Sequence, residues 1–351
     1  MKSKISRMLL LLAACGMLAG CGAAETTDAD ASDEAATETD ASGEVGEYKF
    51  VLAEVNPADT VVGQVDQAFA DKIEELSNGA MTVDVYFEAE KGKEFDVLTG
   101  MIDGTSDISI ARVSCFEFTN FGCEMPSLVC LPFTFENEEH FWNFADSDAA
   151  QQILNEPVEF GLGVRGLFIG EEGFRHFFSN KKLTSVEDFQ GLRIRVSSDQ
   201  VMTSMVEGLG ATPYQLQLED IPVAFQNDEI DAAEQPVVNY AANNFDADAP
   251  YLLVDGHTLG IVEIVIADSA WNELTPAQQQ IVTEAAEYAQ DFNKDLVATN
   301  EEKAYAELEA RGVEVTQVED KTPFREATQA VVDETIAGKE DLYQQILDCA
   351  N

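Results

Sequence analysis

The fold is decided by the segment that begins with Tyr48-Lys-Phe-Val-Leu-Ala-Glu-Val55, a run of apolar and β-branched residues typical of a β-strand. Apolar residues then recur at steps of three and four up to about Leu76, which predicts an amphipathic helix. A second strand-like run is Met81-Thr-Val-Asp-Val-Tyr-Phe87, and a helical pattern ending at Gly104 leads into a third from Ile108 to Val113. Strands that alternate with helices predict βαβ units and a largely parallel sheet.

The same order of elements recurs further along the chain. A strand is predicted at Leu192-Arg-Ile-Arg-Val196, a helix over 199–209 and a strand over 211–216. A helix over 219–226 then leads to a strand that begins with residues 229–234. We therefore expect two α/β lobes of similar plan.

One predicted helix is unusually long. Thr275-Pro276 is a favourable start, because a capping residue is followed by Pro in the first turn. No Pro or Gly then occurs until Gly312. A helix of some 35 residues is roughly 50 Å long, which exceeds the width of one lobe, so we expect it to cross both.

The first twenty residues are typical of a secretory signal. Three basic residues precede the apolar run Met8–Ala19, which is too short to cross a bilayer as a helix. Leu18-Ala-Gly-Cys21 resembles the lipobox of bacterial lipoproteins, in which the Cys is acylated. We expect residues 1–20 to be removed and Cys21 to anchor the protein on the extracytoplasmic face of the membrane. The alternative is an ordinary signal with a chance Cys.

Charge and composition limit the partners of the chain. Residues 22–47 contain nine acidic residues and no aromatic residue, Lys or Arg, which predicts a disordered tether after Cys21. The formal net charge of the whole sequence is −46. Nucleic-acid binding requires basic surface, so the sequence argues against it, and also against adhesion to anionic lipid. Membrane contact is expected through the lipid anchor only.

Four cysteines lie beyond the signal and Cys21, namely Cys115, Cys123, Cys130 and Cys349. An extracytoplasmic location permits a disulfide among them, but the sequence does not determine the pairing. Buried, reduced side chains are the alternative. The C-x-x-C spacing of a metal or redox site is absent, and we predict no metal and no cofactor.

Several short motifs together resemble the substrate-binding proteins of TRAP transporters. The most specific are Gly173-Phe-Arg-His176 and Gly191-Leu-Arg-Ile-Arg-Val196, and the resemblance covers essentially all of residues 48–351. It implies a type II periplasmic-binding-protein fold with two α/β lobes, a hinge and a shared helix. We assign residues 48–172 and 256–300 to lobe I, and residues 173–255 and 301–351 to lobe II. It also implies capture of a small organic acid for a permease in the membrane.

The family pattern implies that Arg195 binds the carboxylate of the ligand. A guanidinium is always charged, and its planar fork matches a carboxylate with two parallel hydrogen bonds. The alternative is an Arg paired with a structural acid. Other positions that match the family's ligand contacts, or lie at the predicted cleft, are Arg175 with its neighbour Phe174, Gln235, Arg112, Val113, Glu54, Leu218 and Glu234. Glu54 is expected to hold a ligand amine or hydroxyl, or to pair with Arg112, whereas Arg112 itself is expected at the ligand or on the surface. Glu234 is expected to organise the hinge or an Arg.

Two other functions compete with transport. A lipid-anchored hydrolase would need catalytic motifs, but the three histidines, His140, His176 and His257, form no H-E-x-x-H motif, and no G-x-S-x-G elbow is present. A receptor that feeds a signalling partner would differ only in that partner. The sequence therefore favours a binding protein over an enzyme.

Overall fold

The computed structural model describes residues 45–197 and 199–350. The predicted signal at residues 1–20, Cys21 and the tether up to residue 44 lie outside the described residues. Only the last three residues of that predicted tether, 45–47, are described, and they lead directly into the first strand.

All the described strands belong to one sheet. They are β1 Tyr48–Ala53, β2 Met81–Tyr86, β3 Ile110–Ser114, β4 Val164–Ser179, β5 Arg193–Val196, β6 Thr212–Gln215, β7 Ala232–Pro236, β8 Tyr251–Ala267 and β9 Glu314–Gln317. Their spatial order is β2-β1-β3-β8-β4-β7-β5-β6, and β9 pairs with one end of β8.

The long strands β4 and β8 join two halves of the sheet. The first half contains β1, β2 and β3, and the second contains β5, β6 and β7. The neighbouring strands inside each half are parallel, as predicted. The prediction of a largely parallel sheet is wrong for β4 and β8, which run antiparallel to each other and to their neighbours β7 and β3. Both strands extend through the two halves, so they connect the lobes as well as pairing within them.

Helices alternate with most of these strands along the chain. They are α1 Val61–Leu76, α2 Glu94–Ile102, α3 Pro126–Val129, α4 Glu138–Ala145, α5 Asp148–Glu159, α6 Gln200–Gly208, α7 Ile221–Gln226, α8 Val237–Ala242, α9 Asp268–Glu273, α10 Pro276–Arg311, α11 Thr322–Thr335 and α12 Glu340–Asp348. Short 3₁₀ segments lie at Cys115–Phe121, Val186–Phe189, Leu218–Asp220 and Phe245–Ala247. Among the described residues, no helix combines the length and the apolar character that a membrane span requires.

The long helix α10 has the ends that the sequence predicts. Thr275 forms a capping box with Gln278, and Gly312 ends the helix in the left-handed conformation with a φ of 87°. In its C-terminal part, the helix contacts α1 through Gln64, whose Nε2 donates to Asn300 Oδ1 at 3.3 Å. At its end, Arg311 Nη1 donates to the carbonyl of Ala241 on α8 at 2.9 Å. The helix therefore packs on elements of both halves.

Apolar residues pack against both halves of the sheet. Phe50, Val65 and Phe69 are fully or almost fully buried where α1 covers the first half. Phe177, Phe189 and Met205 are fully buried in the second half. The lobe boundaries proposed from the sequence remain predictions.

The cysteines are free thiols in the described structure. Cys115, Cys123 and Cys130 are buried, and Cys349 is partly exposed. Burial raises the pKa of the Cys123 thiol to about 12, which keeps it protonated. Of the two alternatives, the structure shows buried, reduced side chains.

Asn293 holds α10 to the strand that links the two halves. Its Oδ1 accepts a hydrogen bond from the Glu171 backbone N–H at 2.8 Å, and its Nδ2 donates to the Glu171 carbonyl at 2.9 Å. This strand shifts register between Glu171 and Phe174, and Gly173 lies there with a φ of 100°. Beside this irregularity, the Asn293 amide bonds both backbone polar groups of Glu171.

We expect Asn293→Ala to lower the free energy of unfolding by about 2–4 kcal/mol, because two buried backbone groups lose their partner. Urea unfolding followed by circular dichroism would measure the change. Asp291→Ala, at an exposed position of the same helix, is the matched control and should change stability by less than about 0.5 kcal/mol. Equal effects of the two substitutions would contradict the assigned role of Asn293.

Candidate functional site

A polar pocket lies where the carboxyl ends of the parallel strands in the two halves converge. Ends of parallel strands are where open α/β sheets commonly bind ligands. The pocket and the solvent space at its mouth together contain about 440 Å³ that is free of protein atoms. Its lining residues are Val55, Asn56, Glu94, Ser114, Phe116, Glu117, Glu172, Arg175, Arg195, Ser197, Gln217, Leu218, Glu219, Gln235 and Asn239.

Each strand delivers its side chains at or just after its last residue. Asn56 follows β1, and Ser114 is the last residue of β3. Ser197 directly follows β5, and Gln235 is the penultimate residue of β7. Both halves of the sheet thus contribute to one pocket.

Arg175 is fixed by a buried ion pair with Glu234. Its Nε and Nη2 both bond the Glu234 carboxylate, with a distance of 2.9 Å between Nη2 and Oε1. Arg175 is 4% exposed and Glu234 is fully buried. Burial alone would raise the pKa of Glu234, but the positive charges of Arg175 and His257 lower it to about 2. Glu234 is therefore a permanent anion that occupies two of the three nitrogens of Arg175.

Arg195 is held differently and keeps part of its guanidinium unpaired. Its Nε donates to the Leu216 carbonyl at 2.8 Å, which fixes the side chain. Its Nη1 has no hydrogen-bond partner among the described residues and lies 3.9 Å from Glu234 Oε1. Burial lowers the pKa of Arg195 to about 10, so the group is still charged at neutral pH. A buried, charged donor without a partner is costly, and an anionic ligand would supply the partner.

Three carboxyl groups form an acidic wall in the same pocket. Glu94 accepts a hydrogen bond from the Ser114 backbone N–H, and Glu172 Oε2 accepts from Asn239 Nδ2 at 3.0 Å. Burial raises the pKa of Glu172 to about 7 and also raises that of Glu94. Glu219 has both carboxylate oxygens buried and without a described partner.

Two buried histidines, His176 and His257, lie near the arginines but outside the pocket lining. His257 Nδ1 lies 2.9 Å from Asp255 Oδ2, and its Nε2 lies 3.6 Å from Glu234 Oε2. Burial alone would lower the pKa of His257, but the two carboxylates raise it to about 9. His176 Nδ1 accepts from the Gly256 backbone N–H at 2.9 Å, and burial lowers its pKa. The His257 imidazolium adds to the positive charge that keeps Glu234 ionised.

The structure places four of the predicted ligand-binding residues in the pocket, namely Arg195, Arg175, Gln235 and Leu218. Glu234 does not line the pocket and instead holds Arg175. Phe174 is partly buried and packs against apolar residues around α4 and α5. Val113 is fully buried in the core of the first half.

Arg112 lies neither on the surface nor in the pocket lining. It is 5% exposed, and its Nη2 and Nε bond the carboxylate of Asp66 on α1. Its Nε also lies 2.8 Å from Glu54 Oε2. Of the two roles considered for Glu54, the structure shows the pairing with Arg112. Arg112, Asp66 and Glu54 are buried together, so removing one of them would leave the others without their partner in the interior.

Most of the remaining lining residues were not singled out from the sequence. Ser114, Ser197 and Asn56 follow predicted strands, and this position could have identified them as candidate lining residues. Glu94 and Asn239 lie in the first turns of α2 and α8. Their position in the pocket depends on how these helices pack, which a local pattern does not give.

The chain is similar to proteins that bind solutes outside the bacterial cytoplasm. Residues 52–339 match the family model described as bacterial extracellular solute-binding protein, family 7. The sialic acid-binding periplasmic protein SiaP of Vibrio cholerae is 28% identical over 295 residues, which cover 80% of this chain and 90% of the relative.

The chain is also similar in structure to solved solute-binding proteins. A TRAP periplasmic solute-binding protein from Pseudomonas putida F1 with bound D-glucuronate has a TM-score of 0.81 and 27% identity, covering 85% of this chain and 96% of that one. One from Bradyrhizobium sp. BTAi1, in complex with galacturonate, also has a TM-score of 0.81, with 25% identity, covering 86% of this chain and 100% of that one.

The charges behind the pocket predict a pH dependence of stability. The pKa of His257 is raised from 6.5 to about 9 by folding, so its stabilising contribution is complete below pH 6.5 and is lost as the pH rises through 9. One pKa unit corresponds to about 1.4 kcal/mol, so the loss is on the order of 3 kcal/mol. The raised pKa of Glu172, about 7, acts in the same direction between pH 4.5 and 7.

We therefore expect the wild type to be more stable at pH 6 than at pH 9. His257→Asn should reduce this difference, because Asn cannot take up the proton. Urea unfolding of both proteins at the two pH values is the measurement. An equal difference in wild type and variant would show that His257 is not the group that titrates.

Proposed function

Because this chain belongs to family 7 of the bacterial extracellular solute-binding proteins, and is therefore a solute receptor of TRAP-type transport, we propose that it captures a small sugar acid or a related carboxylate through Arg195. The family binds small acid ligands and works with permease subunits in the membrane. The observation that carries the proposal is the unpaired Nη1 of Arg195, a residue that is 3% exposed and lines the pocket.

The arrangement of the two arginines supports a single carboxylate clamp. Glu234 already neutralises Arg175, so an incoming anion would pair with Arg195 at the lowest electrostatic cost. Hydrogen bonds to charged groups contribute about 1.5–3 kcal/mol each. Ser197 Oγ also lacks a described partner and lines the same pocket, so it offers a second donor to the acid group.

The ligands of similar proteins support the proposal that the solute is a small sugar acid. The relatives from Pseudomonas putida and Bradyrhizobium were solved with glucuronate and galacturonate. These solutes combine one carboxylate with several hydroxyl groups. The lining of this pocket is predominantly polar, which suits a hydroxylated acid better than an aliphatic one.

We propose that capture involves closure of the two lobes. Lys93, next to α2 in the first half, pairs with Asp220, at the start of α7 in the second half, at 2.5 Å. Their sequence neighbours Glu94 and Glu219 line the pocket. The pair therefore lies at the pocket and links the halves, as expected of a contact that forms on closure.

We further propose that Cys21 carries a lipid that keeps the receptor at the extracytoplasmic face of the cell membrane. The family is extracytoplasmic, and the lipobox-like Leu18-Ala-Gly-Cys21 supports the anchor. The family consists of transport receptors, and we propose that this chain likewise catalyses no reaction. A hydrolase or a ligand sensor remains the competing hypothesis.

We expect Arg195→Lys to weaken binding of D-glucuronate or D-galacturonate by about tenfold to a hundredfold, since Lys cannot form two parallel hydrogen bonds with a carboxylate. Isothermal titration calorimetry would measure the dissociation constants. Arg193→Lys is the matched control, because Arg193 lies on the same strand but pairs with Asp231 at the surface. The proposal fails if Arg195→Lys and the wild type bind every acid tested equally well.

We expect Cys21→Ser to abolish acylation and to move the protein from the membrane fraction to the soluble extracytoplasmic fraction. Labelling with radioactive palmitate in a bacterial host, followed by fractionation, is the measurement. Cys15→Ser changes a cysteine of the predicted signal and should leave labelling intact. Labelling that persists in Cys21→Ser would rule out this anchor.

A further inference from the structure

Several buried oxygen atoms of residues that line the pocket could accept a hydrogen bond but receive none from the described residues. Asn56 Oδ1, Asn239 Oδ1 and both carboxylate oxygens of Glu219 have no partner among the described residues. Asn56 is 5% exposed and Asn239 is 1% exposed, and both line the pocket. On the donor side, Arg195 Nη1 and the Ser197 hydroxyl are unpaired in the same way. A carboxylate has no hydrogen-bond donor, so a solute that supplied a carboxylate alone could pair with these two donors but could donate to none of the four oxygens.

Neighbouring groups fix the orientation of the two amides. The Asn56 backbone N–H and Nδ2 both donate to Glu54 Oε1, at 2.6 and 2.9 Å. Asn239 Nδ2 donates to Glu172 Oε2 at 3.0 Å. Because each NH₂ group is bound to a carboxyl group, the oxygen of each amide is left for another donor.

The charges of the pocket favour a cationic donor. Glu94, Glu172 and Glu219 line it together with Arg175 and Arg195. Arg175 is already paired with Glu234. Glu94 and Glu219 line the same pocket as Arg195, and their negative charges partly offset the lowering of the Arg195 pKa by burial. A bound anion would add one more negative charge to this wall.

We infer that the solute carries an ammonium group in addition to its carboxylate, and is therefore an amino acid in the broad chemical sense, such as an amino sugar acid. This inference rests on the proposed function, because it places the acid group at Arg195. An ammonium provides three donors and a positive charge, whereas a hydroxyl provides one donor and no charge. The ammonium would bind Glu219 and the amide oxygens, and its charge would balance the acidic wall.

The test compares pairs of acids in which an ammonium replaces a hydroxyl. The pairs are D-gluconate and 2-amino-2-deoxy-D-gluconate, L-malate and L-aspartate, and L-2-hydroxyglutarate and L-glutamate. Thermal-shift screening of the wild type, together with D-glucuronate and D-galacturonate, would show which acids bind. Calorimetry would then give the dissociation constants of each pair that binds. We expect the amino member to bind about tenfold more tightly or better, a difference of about 1.4 kcal/mol.

Variants locate the preference in the acidic wall. Glu219→Gln keeps the shape of the side chain but removes its charge, and we expect the preference for the amino member to fall to about threefold or less. Glu94→Gln should reduce it in the same direction. Glu207→Gln removes one exposed carboxylate of α6 and is the matched control for net charge. Melting temperatures would confirm that each variant is folded.

The possible outcomes separate the two proposals. If the hydroxy acids or the uronates bind as tightly as the amino acids, the ammonium inference is overturned and the carboxylate receptor stands. If the preference persists in both Glu219→Gln and Glu94→Gln, the assignment to the acidic wall is overturned. If none of these acids binds the wild type, the carboxylate function itself is overturned, and the inference falls with it.

Discussion

The buried Glu234 carboxylate is the constraint on which the pocket depends. It bonds Arg175 through two nitrogens, lies 3.6 Å from His257 and lies 3.9 Å from Arg195 Nη1. An isolated charge at this depth would cost several kcal/mol. The surrounding cations offset that cost. Glu234 in turn neutralises Arg175 and leaves Arg195 Nη1 unpaired. The selectivity of the pocket for charge is therefore determined by a residue outside its lining.

The topology explains why one pocket gathers side chains from distant parts of the sequence. Each half of the sheet directs the carboxyl ends of its parallel strands toward the same region, and β4 and β8 join the halves. The register of these two strands shifts near Gly173, and Asn293 satisfies the backbone there. This contact fixes α10 to β4, beside the point where that strand shifts register.

The parts of the structure that could be predicted from the sequence are those with local causes. The length of α10 follows from a capping residue at Thr275 and a glycine at Gly312, and the position of Arg195 follows from a short strand within a family motif. Arg112 shows the limit of such reasoning. Its partner Asp66 lies on a different element, 46 residues away, and only the packing of α1 against the sheet brings them together. The acidic wall was missed for the same reason, because it is assembled from three separate segments in a chain that contains 66 acidic residues.

The Lys93–Asp220 pair has a consequence for the rate of release. Both side chains are substantially exposed, at 39% and 49%, so dissolved ions screen their attraction far more than that between Arg175 and Glu234. In the closed form, salt would thus have little effect on the buried Arg175–Glu234 pair but would weaken the exposed Lys93–Asp220 pair. Low ionic strength would therefore lengthen the residence time of a bound solute, and high ionic strength would shorten it. The specificity of the pocket would change little.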